Sequence, residues 1–270
     1  MKRAAPDPAL PPATALRLAA LQELERAQTA LGRGDARGVH QTRKSIKRLR
    51  AYTRLLRDLP LPAAADRSAQ ALNALLRATA HALEESREAT VALDTFGRLK
   101  RPVSIRAADW RALGQRLRRK AETRRKPTRR VLDTAGAQLE QARETIAALP
   151  DSKLKPADLR RGLRKSCKRA RKAFRELTSG NAEALHEWRK RAKRLEAIQT
   201  LLDPLLDAQA VDARSLDELT ELLGLHHDLH VLPQHPGLTK QQREWLVSAT
   251  RAPAAALERR VRQRGKKLFG

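Results

Sequence analysis

Histidine followed by closely spaced cations is the pattern with chemical potential in this chain, and it occurs twice. One copy runs from Val39 through His40, Arg43, Lys44, Lys47 and Arg48 to Leu49. The other runs from Leu185 through His186, Arg189, Lys190, Lys193 and Arg194 to Leu195. Both read apolar-His-x-x-Arg-Lys-x-x-Lys-Arg-Leu, at an offset of 146 residues. On a helix at about 100° per residue, His40, Arg43, Lys44, Lys47 and Arg54 share one face, opposite Ile46, Leu49, Tyr52 and Leu56. His186, Arg189, Lys190 and Lys193 likewise oppose Trp188, Ala192, Leu195 and Leu202. Cations three and four residues apart lie about 5–6 Å from one another and repel. The arrangement makes sense if an anion with closely spaced charges lies along the face. Arginine and lysine hold phosphoryl oxygens by charge-assisted hydrogen bonds, and a histidine adds a further donor. A nearby phosphate raises the imidazole pKa and nearby cations lower it, so the sequence leaves the sign open.

A cationic helix face is commonly just a solvated one. Its recurrence at matched positions argues against that here, because surface positions are the first to drift apart. The offset extends beyond the motif without a gap: Leu24 pairs with Ala170, Leu31 with Leu177 and Leu56 with Leu202. A weaker match, at an offset of 140, sets Arg87-Glu88 and Val91 opposite His227-Asp228 and Val231. The chain therefore reads as a duplicated helical unit with a seam near 150–156.

The elements that carry these residues must be helices. Of 270 residues, 41% are apolar but only 3% aromatic, so the core is built from Leu and Ala, residues that favour helices over strands. An all-β fold is excluded. The spacing predicts nine helices: 13–31, 37–58, 66–95, 104–125, 128–148, from Pro156 to about 179, 182–203, 212–232 and 239–265, with a kink at Pro253. A Pro-rich segment, 1–12, precedes two helical halves, 13–150 and 151–270.

The net charge is +27, and it is local. Residues 40–57 hold seven Lys/Arg and no acid, 98–130 hold fourteen against two acids, and 153–194 hold sixteen against four. The rest of the chain is slightly acidic. Apolar residues recur at helical spacing inside these blocks, so they are amphipathic helices and not solvated tails. A polyanion is the expected partner. Arg118, Arg125, Arg164 and Lys168 are further candidates to extend the surface.

The single cysteine, Cys167, excludes an internal disulfide and a multi-cysteine metal site. There is no apolar leader segment and no run long enough to span a membrane, so a cytoplasmic location is expected. His226 and His230 have the i, i+4 spacing of a helical metal pair, with His227 and Asp228 between them. The rival assignment is that Asp228 is a structural acid that pairs with a basic helix; no metal or cofactor is assigned. No Gly-rich phosphate loop, paired-carboxylate site or nucleophile with a base is evident, so no catalysis is expected. Nucleic acid is the alternative polyanion. With Trp110 and Trp188 on apolar faces and few other aromatics, no base-stacking platform is evident.

The His-x-x-Arg-x-x-x-Lys-Arg-Leu element resembles the signature of the CHAD domain, the α-helical domain with conserved histidines. The segment Leu223-Gly224-Leu225-His226-His227-Asp228-Leu229-His230-Val231-Leu232 is similar to that family's Leu-Gly-x-x-x-Asp-x-x-Val-Leu element. The resemblance covers about 13–268. It implies an all-α fold of two pseudo-twofold-related four-helix bundles with a basic central groove, binding of inorganic polyphosphate, and association with polyphosphate granules. Carried across, it assigns His40, Arg43, Lys47 and Arg48, His186, Arg189, Lys193 and Arg194, and the acid Asp228. Glu88 stands where the first half would carry the matching Asp, and Glu196 where the family more often has a base. No Glu-x-Glu-x-Lys strand of a triphosphate tunnel enzyme is present, so a stand-alone domain is expected.

Overall fold

The structure is a computed structural model that describes residues 4–124, 127–150, 152–178, 181–206 and 209–270. Ten α-helices and no strands are found among the described residues. They are α1 (Pro12–Leu31), α2 (Ala36–Leu56), α3 (Ala63–Ala82), α4 (Glu85–Gly97), α5 (Ala107–Thr123), α6 (Arg129–Ala147), α7 (Pro156–Arg175), α8 (Ala182–Leu202), α9 (Ala213–Val231) and α10 (Lys240–Phe269). Short 3-10 turns, Asp203–Leu205 and Leu232–Gln234, follow α8 and α9.

The two helices that carry the repeated motif are both 21 residues long, and their bounds differ by 146 at each end. Each is started by a side-chain cap at an equivalent position. The Asp35 carboxylate accepts from the Gly38 amide at 2.6 Å, and the Asn181 carbonyl oxygen accepts from the Ala184 amide at 2.9 Å. The cap and the apolar stripe together fix where each motif begins and which way it faces.

Helices α1, α2, α3 and α6 pack around one another, as do α7, α8, α9 and α10, and α2 touches α8. Leu16, Leu24, Ile46, Leu49, Leu72 and Leu139 of the first set join Leu159, Trp188, Leu195, Leu219 and Phe269 of the second in one continuous apolar core. Gly162 sits where α7 meets the end of α2; a Cβ there would come within 2.9 Å of Leu55.

The sequence expectation of one helix over 66–95 fails. The chain turns at Leu83 and Glu84, so α3 and α4 are separate. Leu83 is buried, and Glu84 accepts from His81 at 2.9 Å and pairs with Arg43 at 3.7 Å. No Gly or Pro marks the break; burial of Leu83 and the pull of Arg43 accompany it. The redirected α4 packs its Ala92 and Phe96 with Leu113 and Leu117 of α5 and with Leu232, Leu238 and Leu246, forming a second, smaller core. Arg116 of α5 also donates to the Gly237 carbonyl at 2.5 Å, and Lys120 to that of Pro236. The α4–α5 excursion of the first half is thus tied to the second half. Pro253 lies within α10, which runs as one helix from Lys240 to Phe269.

Candidate functional site

On α2, His40, Lys44 and Lys47 are exposed, and Arg48 and Arg54 are half-buried. Arg43, read from the sequence as part of the same face, is buried at 8% exposure. It donates to the Ala80 carbonyl of α3 and faces Glu84. Arg48 points toward α1, where it donates to the buried Glu23 carboxylate at 2.7 Å. Ser45 donates to the same oxygen at 2.6 Å. Two members of the first motif are therefore engaged with the fold itself.

On α8, Lys190 is exposed and His186, Arg189, Lys193 and Arg194 are half-buried. Here the helix supplies its own counter-charges. Glu187 pairs with Arg191 at 2.6 Å and Lys190 at 3.6 Å, and Glu196 pairs with Lys193 at 3.0 Å. His186 stacks on His227 of α9, ring centroids 4.6 Å apart, with their Nδ1 atoms 3.2 Å apart. For these atoms to bond, one must carry the proton and the other accept it. Burial, then Arg189 and the neighbouring histidines, push His227 down to about 3. Burial, Lys190 and Arg189 also lower His186. Burial and the surrounding cations thus favour the neutral form of both rings. Burial likewise lowers His226, against the pull of Glu258.

Where α2 meets α8, cations crowd. Arg54 is depressed to about 9, first by burial and then by Arg194, Arg50 and Arg191, with Glu187 opposing. Arg194 is lowered by burial, Arg191 and Arg169, and Arg50 by burial and Arg77. Arginine does not surrender its proton in proteins, so these shifts report burial of the guanidinium groups first and their mutual repulsion second. Close by, Arg169 of α7 makes a two-pronged ion pair with the buried Asp58, at 2.5 and 2.7 Å, and Lys165 donates to the Asp58 carbonyl at 3.1 Å.

The structure thus brings together Arg54 and Arg194, one from each motif-bearing helix. It adds Arg50, Arg191, Arg169, Asp58 and His227, which sequence reasoning did not select. Arg50 and Arg191 fall at positions where the repeat does not match, opposite Glu196 and Ser45. His227 was visible only as part of the His226–His230 cluster. Asp228 is half-buried on α9, while Arg118 on α5 and Arg164 and Lys168 on α7 are exposed. Arg125 lies outside the described residues. Among the described residues no group of three or more His, Cys, Asp or Glu side chains is placed to hold a metal ion. Two cavities lie elsewhere, one lined by Leu16, Tyr52 and Leu149, the other by α10 residues including Arg243 and Val247.

These features define an all-helical, strongly cationic protein in which two motif-bearing helices touch. The family model of the CHAD domain matches residues 15–236, and the chain belongs to the CHAD domain family. It is similar in fold to the crystal structure of the CHAD domain from the plant Ricinus communis. That match has 20% identity and a TM-score of 0.65, and covers 98% of this chain and 93% of the other. It is also similar to PptA from Streptomyces chartreusis, with 17% identity and a TM-score of 0.66 over 93% and 96% of the two chains. At these identities the likeness is one of fold. No curated protein matches the chain. No helix among the described residues is long and apolar enough to cross a membrane.

Proposed function

We propose that this protein binds inorganic polyphosphate, without catalysis, along a basic groove formed by the facing sides of α2 and α8, and that this binding associates it with polyphosphate granules in the cytoplasm. The observation that carries the reading is the crowding of Arg50, Arg54, Arg191 and Arg194 where the two motif helices meet, deep enough that Arg54 is depressed to about 9. A polyanion laid across this contact supplies counter-charge, and it binds more strongly there than on an open surface because the site is partly desolvated. Lys44, Lys47 and Lys190 extend the track on the exposed helix faces. Membership of the CHAD domain family supports the choice of polyphosphate over other polyanions. The duplicated, pseudo-twofold arrangement is part of the same proposal. It is supported by the equal lengths, offsets and caps of α2 and α8.

The test is a titration of polyphosphate of defined length against the protein at several salt concentrations. Binding is expected to weaken steeply with salt through counterion release. Neutralising Lys44, Lys47, Arg54 and Lys190 together should abolish most of it. Arg43 is a poor probe, since it is buried against α3. Unchanged affinity in that variant, or a preference for DNA at matched charge through the same residues, would overturn the reading.

A further inference from the structure

Helix α7 carries nine Lys/Arg and one acid, Asp158, and its cations fall into two groups. Arg161 pairs with Asp158 at 3.6 Å, Lys165 donates to the Asp58 carbonyl, Arg169 pairs with Asp58, and Lys172 pairs with Glu176 at 3.6 Å. The remaining five, Arg160, Arg164, Lys168, Arg171 and Arg175, are all exposed and have no ion-pair or hydrogen-bond partner among the described residues. At 3.6 residues per turn they fall within an arc of about 80° and form a row about 22 Å long. The row lies opposite the buried side of α7, made by Leu159, Leu163, Ser166, Ala170 and Ala173.

The helix at the equivalent place in the first half shows that packing does not require these charges. At the 146-residue offset α1 buries Leu16, Ala20, Leu24 and Ala27 where α7 buries Gly162, Ser166, Ala170 and Ala173. At the positions of the five cations, however, α1 has Thr14, Leu18, Gln22, Glu25 and Thr29. The same packing is thus achieved by a helix with no cation in this row. Five like charges about one turn apart repel one another, and a polyanion bound along the row relieves that repulsion.

We infer that the outer face of α7 is a second anion-binding surface, separate from the α2–α8 site, and that it takes the phosphate backbone of double-stranded nucleic acid irrespective of sequence. Three features select this partner. The apolar side of α7 is consumed by packing, so nothing remains to enter a bilayer. The row is convex and unwalled, which favours a ligand that is already stiff, with a persistence length of about 50 nm, over a flexible chain that must be ordered on binding. An α-helix about 10–12 Å across also matches a major groove about 12 Å wide. No aromatic or amide side chain interrupts the row, and its cations are spaced to meet phosphates, which carry no sequence information.

The experiment measures binding of the full chain to a 20-base-pair duplex of random sequence, to polyphosphate, and to vesicles containing phosphatidylglycerol. The variant carries Arg160→Gln, Arg164→Gln, Lys168→Gln, Arg171→Gln and Arg175→Gln. It should bind duplex at least tenfold more weakly, with the slope of log K against log salt reduced by about 4.5, as expected for the loss of five phosphate contacts. Its polyphosphate affinity should change less than threefold, because Arg164 and Lys168, expected from the sequence to extend the polyphosphate surface, lie on the outer side of α7. Placing arginine at Thr14, Leu18, Gln22, Glu25 and Thr29 of α1 should raise duplex affinity, and this arm keeps the test decisive if the α7 variant folds poorly. Duplex binding within twofold of the parent, or no gain from the α1 graft, overturns the inference. So does an equal loss of polyphosphate binding, or vesicle binding through the row that exceeds duplex binding at the same salt.

Discussion

Helices α1 and α2 correspond to α7 and α8 by the 146-residue offset, yet the two pairs carry their charge on opposite members. In the first pair α1 holds two bases and two acids, while α2 holds seven bases and no acid. In the second pair α7 holds nine bases and one acid, while α8 holds five bases and three acids. The positive face has moved from the second helix of the pair to the first. Apolar positions could not move in this way, because Leu24 and Ala170 or Leu49 and Leu195 face the same core. Exposed charge is free to move; Lys44 and Lys190 are exposed cations found on both helices, whereas His186 is half-buried and stacked on His227, so packing also holds its position. Lys190 and Lys193 are matched to Glu187 and Glu196 of their own helix, whereas α2 carries no acid.

The buried positions give the largest test of this contrast. Thr42 and Trp188 are equivalent and both fully buried, but Thr42 donates to the Ala27 carbonyl at 3.1 Å while Trp188 packs on Phe174 at 5.1 Å. Trp188→Ala is expected to cost about 3–5 kcal/mol through the cavity it leaves, and Thr42→Ala about 1 kcal/mol. Denaturant melts check both, and equal costs would mean that the two halves do not depend on their cores differently. Gly265 supports the assignment, since a Cβ there would come within 2.5 Å of Phe174 and 2.7 Å of Trp188.

Asp58→Ala is the next effect in size. It strips the carboxylate from Arg169 between α2 and α7, and about 1–2 kcal/mol is expected because Arg169 is 44% exposed. Double-mutant melts with Arg169→Ala should show coupling; additive costs would remove this pair as a link between halves.

In polyphosphate binding, Lys44→Gln should weaken affinity about threefold and Lys190→Gln less, since Lys190 is already matched by Glu187 on its own helix. Glu187→Gln with Glu196→Gln should tighten binding. Equal losses from Lys44→Gln and Lys190→Gln would show that the intrahelical acids do not screen α8.

The smallest effect concerns pH. His227 and His186 have lowered pKa values in the folded protein, so the unfolded chain binds more protons between its ordinary value of 6.5 and about 3. Stability is full above about pH 6.5 and declines as pH falls through that window. Melting temperature should therefore drop on acidification below 6.5, less so in His227→Phe. Arg189, Lys190, His226 and His230 surround the pair on α8 and α9 and act in the same direction.

Much of the fold was legible because it depends on local rules. The apolar spacing and the prolines placed most helix ends within a few residues, and the repeat paired α2 with α8. The break at Leu83–Glu84 was not legible, since it involves Arg43, 40 residues earlier in the chain, and no Gly or Pro. The site was legible in its residue types but not in its division of labour. Nothing local distinguishes Arg43 and Arg48, taken up by Glu84 and Glu23, from Lys44, which is exposed.

By itself the sequence determined that the chain is all-helical, that its charge is concentrated in three blocks, and that a His-basic motif recurs at 146 residues, because periodicity and composition are properties of neighbours along the chain. Only the tertiary structure decided which cations face one another across α2 and α8, which are neutralised from other helices, and that His186 meets His227. Those outcomes depend on distances between residues far apart in sequence, and electrostatic energy follows distance and burial.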